Sequence, residues 1–358
     1  MKRTVRLAQQ FVTAVGCANG NGGRHLGCEH AVKTLQSSKF LEQVRVPIRW
    51  NKIVEEVTTG RHFDALAGVT KQEVQEVQVK PAIDIHLVAL GEATVPNLNS
   101  ETSKASALKN LFQTCEELAF HARKVIENKE ELLVLGGDHS CAMGTWSGVA
   151  SALRRDGDLG LIWVDAHMDA HTPSTTPSGN IHGMPVAHLL GFGDKNLTRL
   201  GDGMPKILPH NMCMVGIRSY EPGEQELLEK LGVRIFYMDE VDRRGIAEVM
   251  QEAQYLVTRN TIGFGMSIDI DGFDVSDAPA VGTPEENGIN ANEFLRALLT
   301  LDLSKLVATE IVEFMPERDD EHKSSERLVV NLMEAIYLTK FFQQNTAIGL
   351  EERMMATA

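Results

Sequence analysis

Three short stretches gather the residue types that hold a divalent cation. They are Gly136-Gly137-Asp138-His139, Asp165-Ala166-His167-Met168-Asp169 and Asp269-Ile270-Asp271. Each follows an apolar run that reads as a strand, namely Leu132–Leu135, Leu161–Val164 and Met266–Ile268. A buried strand ending in Asp-x-His-x-Asp carries acceptors that repel one another in a low dielectric unless a cation compensates. Asp269 and Asp271 add two more carboxylates, and at i, i+2 spacing within a regular strand they share a face. Four Asp and two His form an oxygen-rich set with some imidazole, which suits Mn²⁺ and admits Fe²⁺, Co²⁺ or Ni²⁺. No thiolate belongs to it, so a structural zinc site is not expected. Six ligands, two of them able to bridge, point to a pair of ions. A pair ~3.5–4 Å apart shares a water and lowers its pKa towards ~7, which makes hydroxide available at neutral pH. A single Asp-x-Asp at a strand end is usually a turn. Three such motifs on separate strand ends point instead to a site.

Bringing them together requires a sheet whose strands end at one edge. Apolar runs recur at Phe11–Cys17, Ile83–Leu90, Leu132–Leu135, Leu159–Val164, Met212–Ile217, Val233–Met238, Ile262–Ile270 and Val307–Phe314. Mostly continuous runs of this kind are strands buried on both faces of a parallel sheet. Between them lie helical patterns. One apolar stripe runs Leu108, Leu111, Phe112, Cys115, Leu118, Ala119, Ala122, Val125, Ile126, and Glu224–Leu231, Asn290–Leu301 and Leu328–Phe342 also read as helices. The alternation predicts one α/β domain over residues 1–358, with about eight mostly parallel strands and helices on both faces. The polar stretches Asn51–Lys80 and Glu92–Lys104 read as surface excursions, and Gln343–Ala358 as a C-terminal tail. In such sheets ligands bind beyond the carboxyl ends of the strands, where the motifs lie.

Among 358 residues, 35 Lys+Arg against 49 Asp+Glu leave a net charge of −14, which argues against nucleic-acid and anionic-membrane partners. An acidic field instead draws in a small cationic substrate. No run of 18 apolar residues is present, so no transmembrane helix is expected. Met1-Lys2-Arg3 and Val15-Gly16-Cys17 faintly resemble a lipoprotein leader, but Arg6, Gln9, Gln10 and Thr13 interrupt the apolar stretch. The five cysteines, Cys17, Cys28, Cys115, Cys141 and Cys213, lack C-x-x-C spacing. Reduced thiols in a cytoplasmic protein are expected.

Gly-Gly-Asp-His-Ser at 136–140, Asp-Ala-His-Met-Asp at 165–169 and Ser-Ile-Asp-Ile-Asp-Gly-Phe-Asp at 267–274 resemble the three metal-binding signatures of the ureohydrolase superfamily. That superfamily includes arginases, agmatinases and formimidoylglutamases. The resemblance implies an arginase-like three-layer sandwich and two Mn²⁺ per subunit. Asp165 and Asp269 would bridge the ions, His139 and Asp169 would complete one, and His167 and Asp271 the other. A bridging hydroxide would attack a guanidinium carbon and release urea and an amine. Thr172–Pro185, with its Ser-Gly-Asn-x-His-Gly-x-Pro core, resembles the arginase substrate loop more than the agmatinase form. By that likeness Thr176, Ser178 and Asn180 would bind the substrate α-carboxylate. His182 would pass a proton to the leaving amine, and Glu313 would orient the guanidinium. Asp169 joins His182 and Glu313 among the catalytic groups, and Thr283 falls on a loop position near the site.

The pattern departs from arginases at the other end of the substrate. His171 stands where Asn is typical, Ser219 and Glu221 where Asp is usual, and Glu285-Glu286-Asn287 differs from the expected loop. The expectation is hydrolysis of L-arginine to L-ornithine and urea. Agmatine or a guanidino acid is the alternative substrate, and a non-catalytic metal-binding regulator the reading from another class. The likeness also implies a homotrimer or homohexamer. His188 and Cys141 read as structural.

Overall fold

The computed structural model describes residues 10–23, 25–55 and 101–357. Its strands are β1 Val12–Ala18, β2 Ile48–Glu55, β3 Glu131–Leu135, β4 Leu159–Val164, β5 Met212–Ile217, β6 Arg234–Tyr237, β7 Gly263–Asp269 and β8 Leu306–Val312. The helices are α1 Ala31–Gln36, α2 Glu101–Glu127, α3 Ala142–Leu153, α4 Pro185–Leu189, α5 Lys195–Thr198, α6 Pro222–Leu231, α7 Met238–Arg244, α8 Ile246–Thr258, α9 Ala291–Leu298 and α10 Ser324–Thr357. The strands form one sheet of order β2-β1-β3-β8-β7-β4-β5-β6, parallel at every pairing.

Alternate residues of each central strand feed two separate cores. Leu133, Leu135, Ile162, Val164, Met266 and Ile268 pack with Phe294, Leu298, Leu332, Met333 and Ile336 on one face. Leu132, Val134, Leu161 and Trp163 pack with Leu118, Ala122, Val149 and Leu228 on the other. Burial on both sides removes the polar alternation of a half-exposed strand, and the runs are therefore continuous.

Seven expected strands appear within a residue or two of their sequence boundaries. The run Ile83–Leu90 lies outside the described residues, as do most of the two polar stretches. Asn51–Glu55 is not a loop excursion: it belongs to β2, which among the described residues pairs with β1 alone, at the edge of the sheet. An edge strand keeps polar residues on its solvated side and so shows no apolar run. Gln343–Thr357, within the expected C-terminal tail, is helical and continues α10.

The decisive feature is order. β3, β8, β7 and β4 are consecutive across the middle of the sheet. These four strands carry the three motifs and Glu313 at their carboxyl ends, at one edge.

Candidate functional site

The backbone leaves each strand through the same device. Asp138 Oδ1 accepts from Ser140 N (3.0 Å), Asp165 Oδ1 from His167 N (2.6 Å) and Asp269 Oδ1 from Asp271 N (2.8 Å). An Asp that caps the amide two residues on makes a tight turn and fixes its own carboxylate. Asp271 therefore reaches the site through a turn, since β7 ends at Asp269 and a single 3₁₀ turn spans Ile270–Gly272. Strand alternation, the reason expected from the sequence, is not what aims it. At Gly137 a Cβ would fall 1.6 Å from the Asn19 carbonyl oxygen, so only glycine lets the Gly-rich segment Asn19-Gly20-Asn21-Gly22-Gly23 lie against the first motif.

Six side chains meet at this edge. His139 Nδ1 lies 3.1 Å from Asp165 Oδ2, 3.2 Å from Asp169 Oδ2 and 3.1 Å from Asp269 Oδ2. His167 Nδ1 lies 3.1 Å from Asp271 Oδ2 and 3.5 Å from Asp165 Oδ1. Ligand atoms of His139, Asp165 and Asp269 fall within 4.8 Å of one another, as do those of Asp165, His167 and Asp271. Asp165 is common to both groups. Two donors at right angles on an ion ~2.1 Å away stand about 3.0 Å apart, so the spacing fits divalent cations.

The electrostatics also ask for cations. Burial, and then Asp271 and Asp165, push the Asp269 carboxyl above its ordinary range. Burial and Asp165 lift Asp169 to about 6. Burial resists a charge on His139, yet the carboxylates around it outweigh that and hold its pKa well above the usual value. Two imidazoles cannot offset four buried carboxylates, and the donor set therefore fits a pair of hard or borderline divalent ions.

Outer partners hold these ligands. Trp163 stacks on His139 at 3.9 Å between ring centres and donates Nε1–H to Asp165 Oδ2 (2.8 Å). Thr283 Oγ1 donates to Asp271 Oδ2 (3.1 Å). Two of the departures from arginases turn out to be one feature: Ser219 Oγ donates to Glu285 Oε1 (3.0 Å), and the same oxygen lies 3.6 Å from His167 Nε2. Arg218 fastens that loop by donating to the carbonyls of Glu285 and Glu286 (2.9 and 3.0 Å) and of Asp271 (2.8 Å).

Glu313 follows β8 with a left-handed backbone, φ 63°, and Asp169 has φ 48°. Such conformations cost a non-glycine residue about 1–3 kcal/mol and collect at functional sites. Glu313 Oε1 accepts from His139 N (2.8 Å) and lies 3.1 Å from His182 Nδ1, while Cys28 Sγ donates to Oε2 (3.5 Å). Burial opposes charge on His182, but the hydrogen-bonded Glu313 carboxylate prevails and lifts its pKa to about 9. Backbone amides of Ile181 and His182 donate to Gly22 O (2.9 and 3.0 Å), which ties the loop to the Gly-rich segment.

A cavity of about 650 Å³ opens over these groups. Its walls include His167, Asp169, Asp269, Asp271, His182 and Thr283, with Thr176, Ser178 and Asn180 from the loop and His171, Ser219 and Glu221 opposite. His139, Asp165 and Glu313 do not line the cavity but contact residues that do: His139 lies beside Asp169 and Asp269, Asp165 beside His167, and Glu313 beside His182. Thr176 and Ser178 also accept hydrogen bonds from Gly179 N (3.0 Å) and Asn180 N (3.2 Å), which shapes the loop.

Glu224 was not foreseen. It is buried, accepts from Ala170 N (3.0 Å) and Glu221 N (3.1 Å), and lies 3.4 Å from His171 Nε2. Burial lifts its pKa to about 8. His171 Nε2 lies 2.9 Å from Glu221 Oε2, making a third cluster of possible ligands at the mouth. The Glu221-Pro-Gly-Glu224 spacing is a helix capping box, a signal that could have drawn attention to Glu224. His188 bridges Met184 O (2.8 Å) and Asp194 N (2.9 Å) away from the ligands, as a structural histidine would.

The Arginase family profile matches residues 60–339. An arginase of Brevibacillus brevis is 41% identical over 245 residues, covering 68% of this chain and 81% of that protein. An arginase of Bacillus caldovelox is 41% identical over 236 residues, covering 66% and 78%. The crystal structure of arginase from Bacillus subtilis superposes with a TM-score of 0.72 at 30% identity, covering 91% of this chain and 98% of the other. No helix of the described residues is long and apolar enough to cross a membrane. With fold, edge chemistry and relatives in agreement, the chain belongs to the arginase family and is an arginase-type hydrolase of C–N bonds in linear amidines.

Proposed function

We propose that the protein hydrolyses the guanidinium group of L-arginine to L-ornithine and urea, with Mn²⁺ as the favoured ion. The supporting observation is the convergence of four Asp, two His and Glu313 at the ends of four consecutive strands, with His182 brought beside Glu313 by the loop, at one acidic cavity. His139, Asp165, Asp169 and Asp269 would hold one ion, and Asp165, His167, Asp269 and Asp271 the other. Bound there, the ions would supply a water acidified towards neutral pH, which a delocalised guanidinium carbon needs as its nucleophile.

The chain's own groups do the rest. Glu313 offers its carboxylate to the guanidinium and fixes the plane in which attack occurs. His182, charged beside Glu313, gives its proton to the departing amine nitrogen as the C–N bond breaks. Thr176, Ser178 and Asn180 donate to the α-carboxylate, and Glu221 meets the α-ammonium. The His171–Glu221 contact occupies part of that acidic group, which keeps substrates lacking an α-ammonium or an α-carboxylate in view.

Urea release from a panel of L-arginine, agmatine and guanidino acids by Mn²⁺-loaded protein tests this. L-Arginine is expected to give the highest kcat/KM; strong turnover of agmatine with none of arginine overturns the substrate assignment. Glu313→Gln should lower kcat/KM for arginine by about 10–100-fold, the size of one lost charge-assisted hydrogen bond. Metal content, read by elemental analysis, should stay at the wild-type level. An emptied site would mean that Glu313 holds the ions rather than the substrate.

A further inference from the structure

Glu310 lies in the middle of β8 with no exposed surface, and the mechanism above does not use it. No lysine, arginine or histidine pairs with it among the described residues. A carboxyl there is costly unless its oxygens are matched by donors. Three groups match it. Trp146 Nε1 donates to Oε2 (3.0 Å), Ser267 Oγ donates to the same oxygen (2.6 Å), and Cys141 Sγ donates to Oε1 (3.6 Å). Trp146 reaches this point only because β7 has glycine beneath it: a Cβ at Gly265 would lie 2.1 Å from the indole ring.

The hydrogen-bond directions follow from chemistry. An indole N–H can only donate, which makes Oε2 an acceptor. Ser267 has a single proton, and its 2.6 Å contact spends that proton on Oε2. Ser267 Oγ then has only lone pairs to present to His139 Nε2, 2.9 Å away, so Nε2 carries the hydrogen. The opposite nitrogen, Nδ1, is left to the carboxylates of Asp165, Asp169 and Asp269. An imidazole that holds a metal ion needs this tautomer, set by the hydrogen bond its other nitrogen makes.

We infer that Glu310 is a positioning residue for the metal centre, acting through Ser267 to hold His139 with its Nδ1 lone pair facing the ion site. The inference rests on the metal reading given under Proposed function. Trp146 serves the relay by fixing which oxygen accepts. Glu310 does not touch substrate or ion, and its effect is confined to the ion beside His139.

Glu310→Met separates this role from a structural one. The variant keeps the volume but leaves the buried Trp146 Nε1–H and the Cys141 thiol without their acceptor, so the metal-free variant should melt somewhat below metal-free wild type while still folding, and the stoichiometry of bound ions rather than the melting point carries the test. Ser267 would lose its acceptor and could turn its proton towards Nε2. Mn²⁺ titration calorimetry should then show one of two ions bound about 10–100-fold more weakly, the size typical for a lost outer partner. Glu310→Gln can keep an amide oxygen at the Oε2 position, still accepting from Ser267 and Trp146, and should hold both ions near wild-type affinity. Ser267→Ala breaks the relay without altering Glu310 and should reproduce the single-ion loss.

Two ions at wild-type affinity in Glu310→Met, or in Ser267→Ala if the first variant does not fold, would overturn the relay. Equal losses in the Met and Gln variants would overturn it too, because charge rather than hydrogen-bond direction would then govern binding. Wild-type protein that binds no pair of Mn²⁺ would instead remove the metal reading, and the relay with it.

Discussion

Asp269→Ala should reduce urea release to background and leave the protein unable to retain its ions. Asp269 Oδ2 stands 3.1 Å from His139 Nδ1, and its Oδ1 fixes the amide of Asp271, so one substitution removes a ligand and loosens the turn that aims another. Losing an outer partner of a metal ligand alone costs about 10–100-fold in affinity, and a direct ligand costs more. Elemental analysis after desalting should find two Mn²⁺ per wild-type chain and fewer than one in the variant.

Stability should move the other way. Burial and the neighbouring Asp271 and Asp165 raise the Asp269 pKa in the folded chain. A carboxyl that titrates higher when folded binds more protons in that state, so its contribution to stability falls as pH rises. At neutral pH the metal-free variant should therefore be at least as stable as metal-free wild type. The order reverses once Mn²⁺ is added, because an ion at 100 times its dissociation constant adds about 2.7 kcal/mol to the wild type alone. Full activity with both ions in Asp269→Ala would remove Asp269 from the ligand set.

The candidate ligands were legible because they break rules that a strand end otherwise obeys. A capping Asp alone has a structural use, but Asp-x-His-x-Asp after a fully apolar run, with two further acidic motifs at other strand ends, points to a site. The central strands were legible for the related reason that both faces are buried. Strand order was not. Placing β8 and β7 between β3 and β4 depends on pairings between residues as distant as Leu133 and Thr309, which no local pattern encodes. Edge strand β2 was hidden because Arg49, Asn51 and Lys52 face water along one side. Glu310 was visible as one of two acids, with Glu313, within the run Val307–Phe314. Its meaning needed Ser267 and Trp146, which arrive from two other segments. The link between Ser219 and Glu285 was hidden in the same way: each read as a separate departure, and only the fold puts them 3.0 Å apart.

His182→Ala should leave both ions in place and slow turnover by about 10²–10⁴-fold, the usual cost of a positioned acid or base. The imidazole sits on the loop and contacts Glu313 rather than the ligand carboxylates, so its removal opens no gap in the metal cage. Glu313 would still hold the backbone amide of His139 and the Cys28 thiol. Substrate binding should therefore survive, and the loss should fall on kcat with KM little changed. A group whose pKa is lifted to about 9 by its carboxylate partner is a proton donor throughout the neutral range. Exogenous imidazole, small enough for the open cavity, should restore part of the lost rate if proton delivery is what was removed. Rescue that grows with the fraction of protonated imidazole would identify the step as donation to the leaving amine. A variant that keeps its ions and turns over at the wild-type rate would mean that solvent protonates the amine and that His182 only shapes the loop.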